Sequence, residues 1–592
     1  MNRRHLLRSL AAGVLAAPLA ERARAFSFSS TALLDPGQAD SAGAACSVRM
    51  IALNQVGFRP KHTKKAAIVL DSAAAPAGTT FRVVDAASGA ARHEGKLSEA
   101  TQDEASGDLL AWADFSSLTD PGIYRIEACG KQSDTFAIAE DAYAAALRLT
   151  MRSYYGQRCG CKVDLGDGYQ HEACHMDGAF HKTSGKDGKL SNSGGWHDAG
   201  DYGRYVVNSG ISTGTLLWAW ELFPEPLRNL KLDIPESGGP VPDYLAEIRW
   251  NLNWMLSMQD ETDGGVWHKQ TSEAFCAFIM PEKDKLTSYV VGTGTEPYKS
   301  TGATADLAAV AAIAARCFRP YDAAYADRCL AAARKAWSWA IANPKLIFRN
   351  PKGVSTGEYG DRNCDDEILW ATAELFRTTG EDQYAHAFLA DLPDMMALDT
   401  ATWGSVAPMA WWSYALAEKS NRFVRMHIAA ATEEAAMLRI LRSSHNGYGN
   451  TLRMTDYVWG SNSAAANDSL LLLMAHRLKP NPTAADVALA NLHYLIGCNC
   501  HGVSWVTQLG HRPFQHPHHR PSGADKIAAP WSGLLSGGPN AFGGDAVANK
   551  MPKQPPMKMW LDDERAYSMN EIAINWNAPL VFLLAAANSN LS

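Results

Sequence analysis

Pro242-Asp-Tyr-Leu-Ala-Glu-Ile-Arg-Trp-Asn-Leu-Asn-Trp-Met-Leu256 sets Leu245, Ile248, Leu252 and Met255 three or four residues apart, the spacing that lines one face of an α-helix. Ala305 to Phe318 repeats the pattern through Leu307, Val310, Ile313 and Cys317, with alanines between them that let helices approach closely. The same period predicts helices over Val206 to Phe223, Asp365 to Thr378, Trp411 to Glu418, Ala465 to His476, Thr483 to Ile496 and Ala578 to Ala587. Roughly a dozen helices joined by long Gly/Pro/Asn loops read as a helical barrel rather than a four-helix bundle. The long loops are expected to form its working face.

Upstream of Glu140 the period changes. Ala66-Ala-Ile-Val-Leu70, Phe81-Arg-Val-Val84, Gly122-Ile-Tyr-Arg-Ile-Glu-Ala128 and Thr135-Phe-Ala-Ile138 are strand-like runs separated by Pro, Gly, Asp and Ser. They predict a small antiparallel sandwich over residues 46–139, ahead of an all-α domain over 140–590. The junction is short, so the two are expected to pack together. Residues 1–25 run from Arg3-Arg4 through the apolar Leu10 to Ala20 to Ala23-Arg-Ala25, the order of an export signal. The mature chain is then expected to begin near Phe26 and to work outside the cytoplasm, in the periplasm or beyond. No later run is read as a transmembrane helix, so stable membrane insertion is not expected.

Length and composition bound the function. The 592 residues exceed one ordinary core, and a net charge of −7 on 20% charged residues offers no basic stripe for nucleic acid. Eighteen Trp and nineteen Tyr supply aromatic faces of the kind that hold the apolar face of a sugar ring, although most are core. The eleven cysteines are not spaced as a small disulfide scaffold, and those on helical stretches, such as Cys317 and Cys329, read as buried thiols.

The chemistry-bearing residues are three acids. Gly194-Gly-Trp-His-Asp198-Ala-Gly-Asp201-Tyr202 sets two carboxylates on a tight loop, where a pair of acceptors holds one water and takes its proton; an isolated Asp-x-x-Asp is also a helix cap or a metal site. Glu571 precedes the apolar run Ile572 to Phe582, and burial beside aromatic rings and other carboxylates would keep it protonated as a general acid; the plain reading is a cap or salt-bridge partner. Between them lies Val503 to Ser522, with four histidines and two arginines, suited to sugar contact, to structural hydrogen bonding or, less well given Pro517, to metal. Cys159, Cys161, Cys174 and His175, with His171 as a spare, supply the soft tetrahedral set of a structural Zn²⁺, or else a disulfide. Asp361, Asp365 and Asp366 lie in an acidic loop that suits Ca²⁺ or plain helix capping.

In order along the chain, Ile51 to Pro60, Gly194 to Tyr202, Asp366 to Leu375, Trp459-Gly-Ser-Asn462, Pro517-His-His-Arg520, Gly537-Gly-Pro-Asn540 and Asn570-Glu571 through Leu580 resemble glycoside hydrolase family 9, in its subgroup with an N-terminal immunoglobulin-like domain. The resemblance implies an immunoglobulin-like β-sandwich followed by an (α/α)6 barrel with an open cleft, and hydrolysis with inversion. It assigns Asp201 as base, Asp198 as its partner on the water and Glu571 as acid. His518 and Arg520 would contact the sugar, with Trp267, Trp459 and Tyr567 stacking or hydrogen bonding. It also implies a zinc at the cysteine–histidine position and one or more calcium ions, and no organic cofactor is expected. The chain departs from the family's pattern at Asn499-Cys500, where Pro usually follows Asn, and at Thr507-Gln508, where Gly is usual. The leading expectation is endo-acting cleavage of β-1,4-glucan. The alternatives are an exo-acting enzyme trimming cellodextrins or glucosamine-containing oligosaccharides, and a non-catalytic carbohydrate-binding protein.

Overall fold

A computed structural model describes residues 46–71, 78–190, 194–392 and 398–591. The expected export signal over 1–25 lies outside them. The described residues all fall in one compact unit.

Its N-terminal part is a two-sheet sandwich. The strands are β1 (Val48–Ala52), β2 (Lys65–Leu70), β3 (Thr80–Asp85), β4 (Ala91–Lys96), β5 (Thr101–Gln102), β6 (Leu109–Asp114), β7 (Gly122–Ala128), β8 (Lys131–Gln132) and β9 (Phe136–Ile138). One sheet runs β1-β2-β6-β5; the other runs β4-β3-β7-β8, with β9 also on β7. Alternate residues such as Phe81, Val83, Tyr124 and Ile126 point into a core with Phe58, Phe115 and Phe136, as the two-residue period of a strand requires. A Cys46–Cys129 disulfide ties the start of the sandwich to the end of β7.

The second part holds twelve helices of nine or more residues among those described: α1 (Ala144–Gly156), α2 (Val206–Leu222), α3 (Asp243–Ser257), α4 (Thr301–Phe318), α5 (Ala323–Ala342), α6 (Asp365–Thr379), α7 (Asp382–Ala390), α8 (Ala407–Leu416), α9 (Arg422–His445), α10 (Ser461–Leu478), α11 (Pro482–Leu495) and α12 (Ile574–Asn588). Even-numbered helices are buried on most sides, whereas most odd-numbered ones keep an exposed side; α3 is the exception, with residues 243–248 buried throughout. That alternation is the inner and outer ring of an (α/α)6 barrel: α2 packs on α4 and α12, α4 on α6, α6 on α8, and α10 on α12. Alanine and glycine on the inner helices permit the close approach; a Cβ at Gly214 would stand 2.7 Å from Trp370. Thr301–Phe318 is long and apolar enough to cross a membrane, contrary to the reading that no such run exists, but 94% of it is buried as a core helix.

Expected and observed helices agree closely at their C-terminal ends, but four begin four residues earlier than expected, at Thr301, Ala407, Ser461 and Ile574. The helix expected from Trp411 begins at Ala407 because Pro408 sits in its first turn, where a missing N–H costs nothing. The last helix begins at Ile574 and runs through Pro579. The helical half also carries a small five-stranded sheet, in spatial order Lys189–Leu190, Gly178–Phe180, Tyr289–Val291, Lys269–Thr271 and Arg204–Tyr205. Its strands are two or three residues long, too short to show a period in sequence.

Sandwich and barrel are joined by buried polar contacts. Asp108 accepts from Tyr448 Oη at 2.6 Å and from Lys558 Nζ at 2.6 Å, while Gln55 exchanges hydrogen bonds with Ile496, Gly502 and Arg512. Phe58 packs edge-on against His493 with ring centroids 5.1 Å apart. The two departures from the family's pattern fall near this junction. Asn499 organises its own loop, donating to the carbonyls of Tyr494 and Val503. Gln508 takes a left-handed φ of 57°, a conformation that costs a side-chain-bearing residue about 1 kcal/mol, and donates to the Pro530 carbonyl at 2.6 Å.

Candidate active site and metal centre

Loops at one end of the barrel surround a cleft of about 740 Å³, lined by Asp198, Asp201 and Glu571 together with Tyr205, Phe275, Tyr359, Trp403, Trp459, His518, Arg520, Tyr567 and Trp576. Three segments far apart in sequence are stitched together there by backbone. The Asp198 carbonyl accepts from Ile574 N at 2.9 Å, at the mouth of α12. Glu571 is clamped by its own N–H to Tyr567 O at 3.0 Å and by Gly537 N to its carbonyl at 2.9 Å. His518 N donates to Asn570 O at 2.8 Å. Gly200 sits so close to the His518 segment that a Cβ would lie 1.9 Å from the His518 carbonyl oxygen; no larger residue fits at position 200.

Each aspartate is oriented by its own donors. Asp198 Oδ1 accepts from Asn208 Nδ2 and Oδ2 from Tyr359 Oη, both at 2.6 Å. Asp201 Oδ2 accepts from Gly203 N at 3.1 Å and Tyr205 Oη at 3.2 Å. Burial, then the neighbouring Asp201 charge, pushes the Asp198 carboxyl up to about 8 against the hydrogen bonds from Tyr359 and Asn208. Glu571 is likewise pushed up to about 8, by burial and then by Asp201 and Asp198, against a hydrogen bond from Trp459 and the Arg520 charge. Both raised carboxyls, Asp198 and Glu571, thus favour the protonated form near neutral pH.

Around these acids the predicted sugar contacts divide. His518 Nδ1 bonds the Glu564 carbonyl at 2.8 Å, which leaves Nε2 as its acceptor. Arg520 spends Nη1 on Gly200 O at 2.7 Å and Nε on Cys276 O at 3.1 Å, between the rings of Phe275 and Phe278. Trp459 packs against Tyr567 with centroids 5.4 Å apart, on the cleft wall. Trp267 is corrected: it is 2% exposed, donates to Ser184 O at 3.0 Å and lies beneath Lys186 and Lys299 away from the cleft. Tyr205, Tyr359, Trp403 and Trp576 were not singled out from sequence. The signal for Tyr359 is its place inside the acidic Thr356 to Glu367 loop, whose sequence reads as a calcium site or plain helix capping.

A second cluster joins the aspartate loop from behind. One ligand atom each from Cys159, Cys174, His175 and His197 lies within 4.8 Å of the others. The separations are 3.9 Å for the two sulfurs, 3.9 Å for Cys159 Sγ to His175 Nδ1 and 3.7 Å for Cys174 Sγ to His197 Nε2. Tetrahedral ligands at zinc bond lengths stand roughly 3.5–3.8 Å apart, so two thiols and two imidazoles fit a soft cation. Burial pushes His197 down to about 4, whereas His175, against its own burial, is raised to about 9 by Asp284 and Cys159. His175 Nε2 reaches Asp284 Oδ2 at 3.3 Å, the outer partner that orients such a ligand. The expected set is therefore corrected by one member. Cys161 is only half-buried and outside the group, and His197 takes its place; Cys-x-Cys spacing drew attention to the wrong partner. The spare, His171, stays apart with Nδ1 on Glu172 O.

The acidic loop gives a looser cluster. Asp306 and Glu367 are 1% exposed, and both oxygens of Asp306, Oδ2 of Asp361 and Oε2 of Glu367 find no hydrogen-bond partner. Burial, then Asp366 and Asp361, pushes Asp306 well above the carboxylate range, and burial, Asp366 and Asp306 do the same to Glu367. Buried hard oxygens in excess suit a hard cation. Asp365 is exposed and stands apart from them, a correction to the expected set; at the first turn of α6 a side chain rotated outward meets solvent.

The Glycosyl hydrolase family 9 model matches residues 143–584, and the Cellulase N-terminal ig-like domain model matches residues 47–133. The chain belongs to glycosyl hydrolase family 9. It is 36% identical to Endoglucanase D of Acetivibrio thermocellus over 546 residues, covering 90% of this chain and 83% of that protein. It is 34% identical to a Cellodextrinase of Butyrivibrio fibrisolvens over 562 residues, covering 91% and 99%. Among solved structures, a Zn-binding triple mutant of the family 9 endoglucanase J30 superposes with a TM-score of 0.84 at 35% identity, covering 90% of this chain and all of that one.

Proposed function

We propose that this family 9 chain is an inverting, endo-acting β-1,4-glucanase acting on cellulose or a related β-glucan. The observation that carries the reading is the convergence of Asp198, Asp201 and Glu571 on one aromatic-lined cleft, with Glu571 held protonated by burial and by the two aspartates. In the step proposed, water held by Asp198 and Asp201 attacks the anomeric carbon opposite the leaving oxygen and gives its proton to Asp201. Glu571 gives its proton to the glycosidic oxygen as the C–O bond breaks, and the new hemiacetal carries inverted configuration. His518 and Arg520 contact the sugar at the cut, and Trp459 and Tyr567 supply ring faces.

Two metals complete the reading. Cys159, Cys174, His175 and His197 would hold a structural Zn²⁺; four protein ligands leave it no open position, so it would brace the loop carrying Asp198. Asp306, Asp361, Asp366 and Glu367 would share a Ca²⁺ through their carboxylate oxygens. The basic-apolar-small order of residues 1–25 and the Cys46–Cys129 disulfide support export to an oxidising compartment.

Time-resolved product analysis on carboxymethyl-cellulose, cellohexaose and chitosan oligomers tests the proposal. Endo action gives a rapid fall in viscosity with mixed oligosaccharides, and NMR of fresh products shows the α-anomer first. Release of a single small sugar from one end favours the second reading, an exo-acting cellodextrinase, which the similarity to the Butyrivibrio protein keeps in view. Glucan binding without cleavage would leave a carbohydrate-binding protein.

A further inference from the structure

Lys269 is fully buried, on the short strand Lys269–Thr271, directly across from Tyr205 on Arg204–Tyr205. Its Nζ donates to Asn350 Oδ1 at 2.7 Å, Gly357 O at 2.7 Å and Thr356 Oγ1 at 3.1 Å, with Thr356 O a longer fourth acceptor at 3.5 Å, so all three ammonium protons are satisfied. The rings of Tyr205 and Phe348 lie 5.5 and 5.6 Å from it. Among the described residues no carboxylate comes within ion-pair distance of Nζ. A buried cation paired only with neutral acceptors is a poor device for stability, since an apolar side chain of similar volume avoids the desolvation.

What the lysine grips leads directly to the acids. Gly357, whose carbonyl it holds, donates its N–H to Tyr205 Oη at 3.1 Å, and Tyr205 Oη donates to Asp201 Oδ2 at 3.2 Å. Two residues on, Tyr359 donates to Asp198 from a backbone with φ of 45°, a left-handed conformation that a tyrosine keeps only when its surroundings hold it there. Both phenols on the aspartate pair therefore depend on the placement of residues 356–359. Burial pushes Lys269 itself down to about 7, with Asp201 and Glu358 opposing.

We propose that Lys269 is a positioning residue for hydrolysis: by fixing the Thr356–Gly357 segment it sets the two tyrosines on Asp198 and Asp201, and through them the attacking water. The inference rests on the assignment of Asp198 and Asp201 made above. The test measures kcat and KM on cellohexaose, with Tm, for Lys269→Met, Thr356→Val, Tyr205→Phe, the Lys269→Met/Tyr205→Phe double variant and Asp201→Asn. Lys269→Met is expected to lower kcat 30- to 300-fold with KM within threefold, and the double variant to lose at least tenfold less than the product of the single losses. Folded Lys269→Met with kcat within threefold of the parent, or losses that multiply in full, overturns the inference. Should Lys269→Met not fold, Thr356→Val carries the test: a tenfold or greater fall in kcat at unchanged KM supports it, and a change in Tm alone overturns it. Asp201→Asn separates the two levels, because an active Asp201→Asn enzyme refutes the assignment of the base, whereas an inactive one beside unaffected Lys269 variants refutes only the role of Lys269.

Discussion

Replacing Glu571 by Gln keeps the size of the side chain and removes its proton, which isolates the acid's contribution. A carboxyl pushed up to about 8 is ~99% protonated at pH 6, whereas one at the ordinary glutamate value is ~3% protonated, so the environment of Glu571 supplies about 30-fold in the competent form. Loss of the donor altogether is expected to cost about 10²- to 10⁴-fold in kcat on cellohexaose. An aryl cellobioside whose phenol departs without protonation should lose under tenfold, because the bond breaks with no help from the acid. For the parent enzyme the sign is fixed by the direction of the shift: activity needs the protonated carboxyl, so kcat/KM falls as pH rises through about 8. Folding stability follows the same sense. With folded values above the unfolded ones, Glu571 and Asp198 contribute stability that is present at low pH and lost as pH rises through about 8. An alkaline limb below pH 6, or a variant equally impaired on natural and activated substrates, would refute the reasoning.

Trp459→Phe keeps the ring but removes the indole donor that favours ionised Glu571, so the alkaline limb of kcat/KM should move up by about one unit; a downward shift contradicts the assignment. His197→Ala should abolish stoichiometric zinc by metal analysis and lower kcat, because the ligand adjoins Asp198, whereas Cys161→Ser should retain both metal and rate. Asp306→Asn relieves repulsion among buried carboxylates, so it should raise Tm in calcium-free buffer and shrink the further rise on adding calcium; calorimetry with and without EGTA reads both.

The inner helices were legible because a barrel wall buries one continuous set of residues, and α2, α4 and α10 carry that pattern without interruption. The outer helix α9 was not: Phe423, Met426, Met437 and Leu441 face solvent while Thr432 and Arg439 are buried, which inverts the pattern a periodicity argument uses. The two ends of the active site were legible as compact strings of glycine, aromatic and acid. Their supports were not, since Tyr205, Tyr359 and Lys269 act through contacts between segments up to 161 residues apart. Trp267 and Cys161 failed for the same reason, as spacing along the chain does not say which way a side chain turns.

The hydrogen bond from Ile574 to the Asp198 carbonyl also has a meaning in time. A ribosome delivers Asp198 and Asp201 early and Glu571 only some 370 residues later, so on the proposed assignment a nascent or prematurely terminated chain would lack the proton donor. Catalytic competence arrives together with closure of the helical ring, and a cell that ships this protein unfolded across its membrane would keep it silent until it folds on the far side.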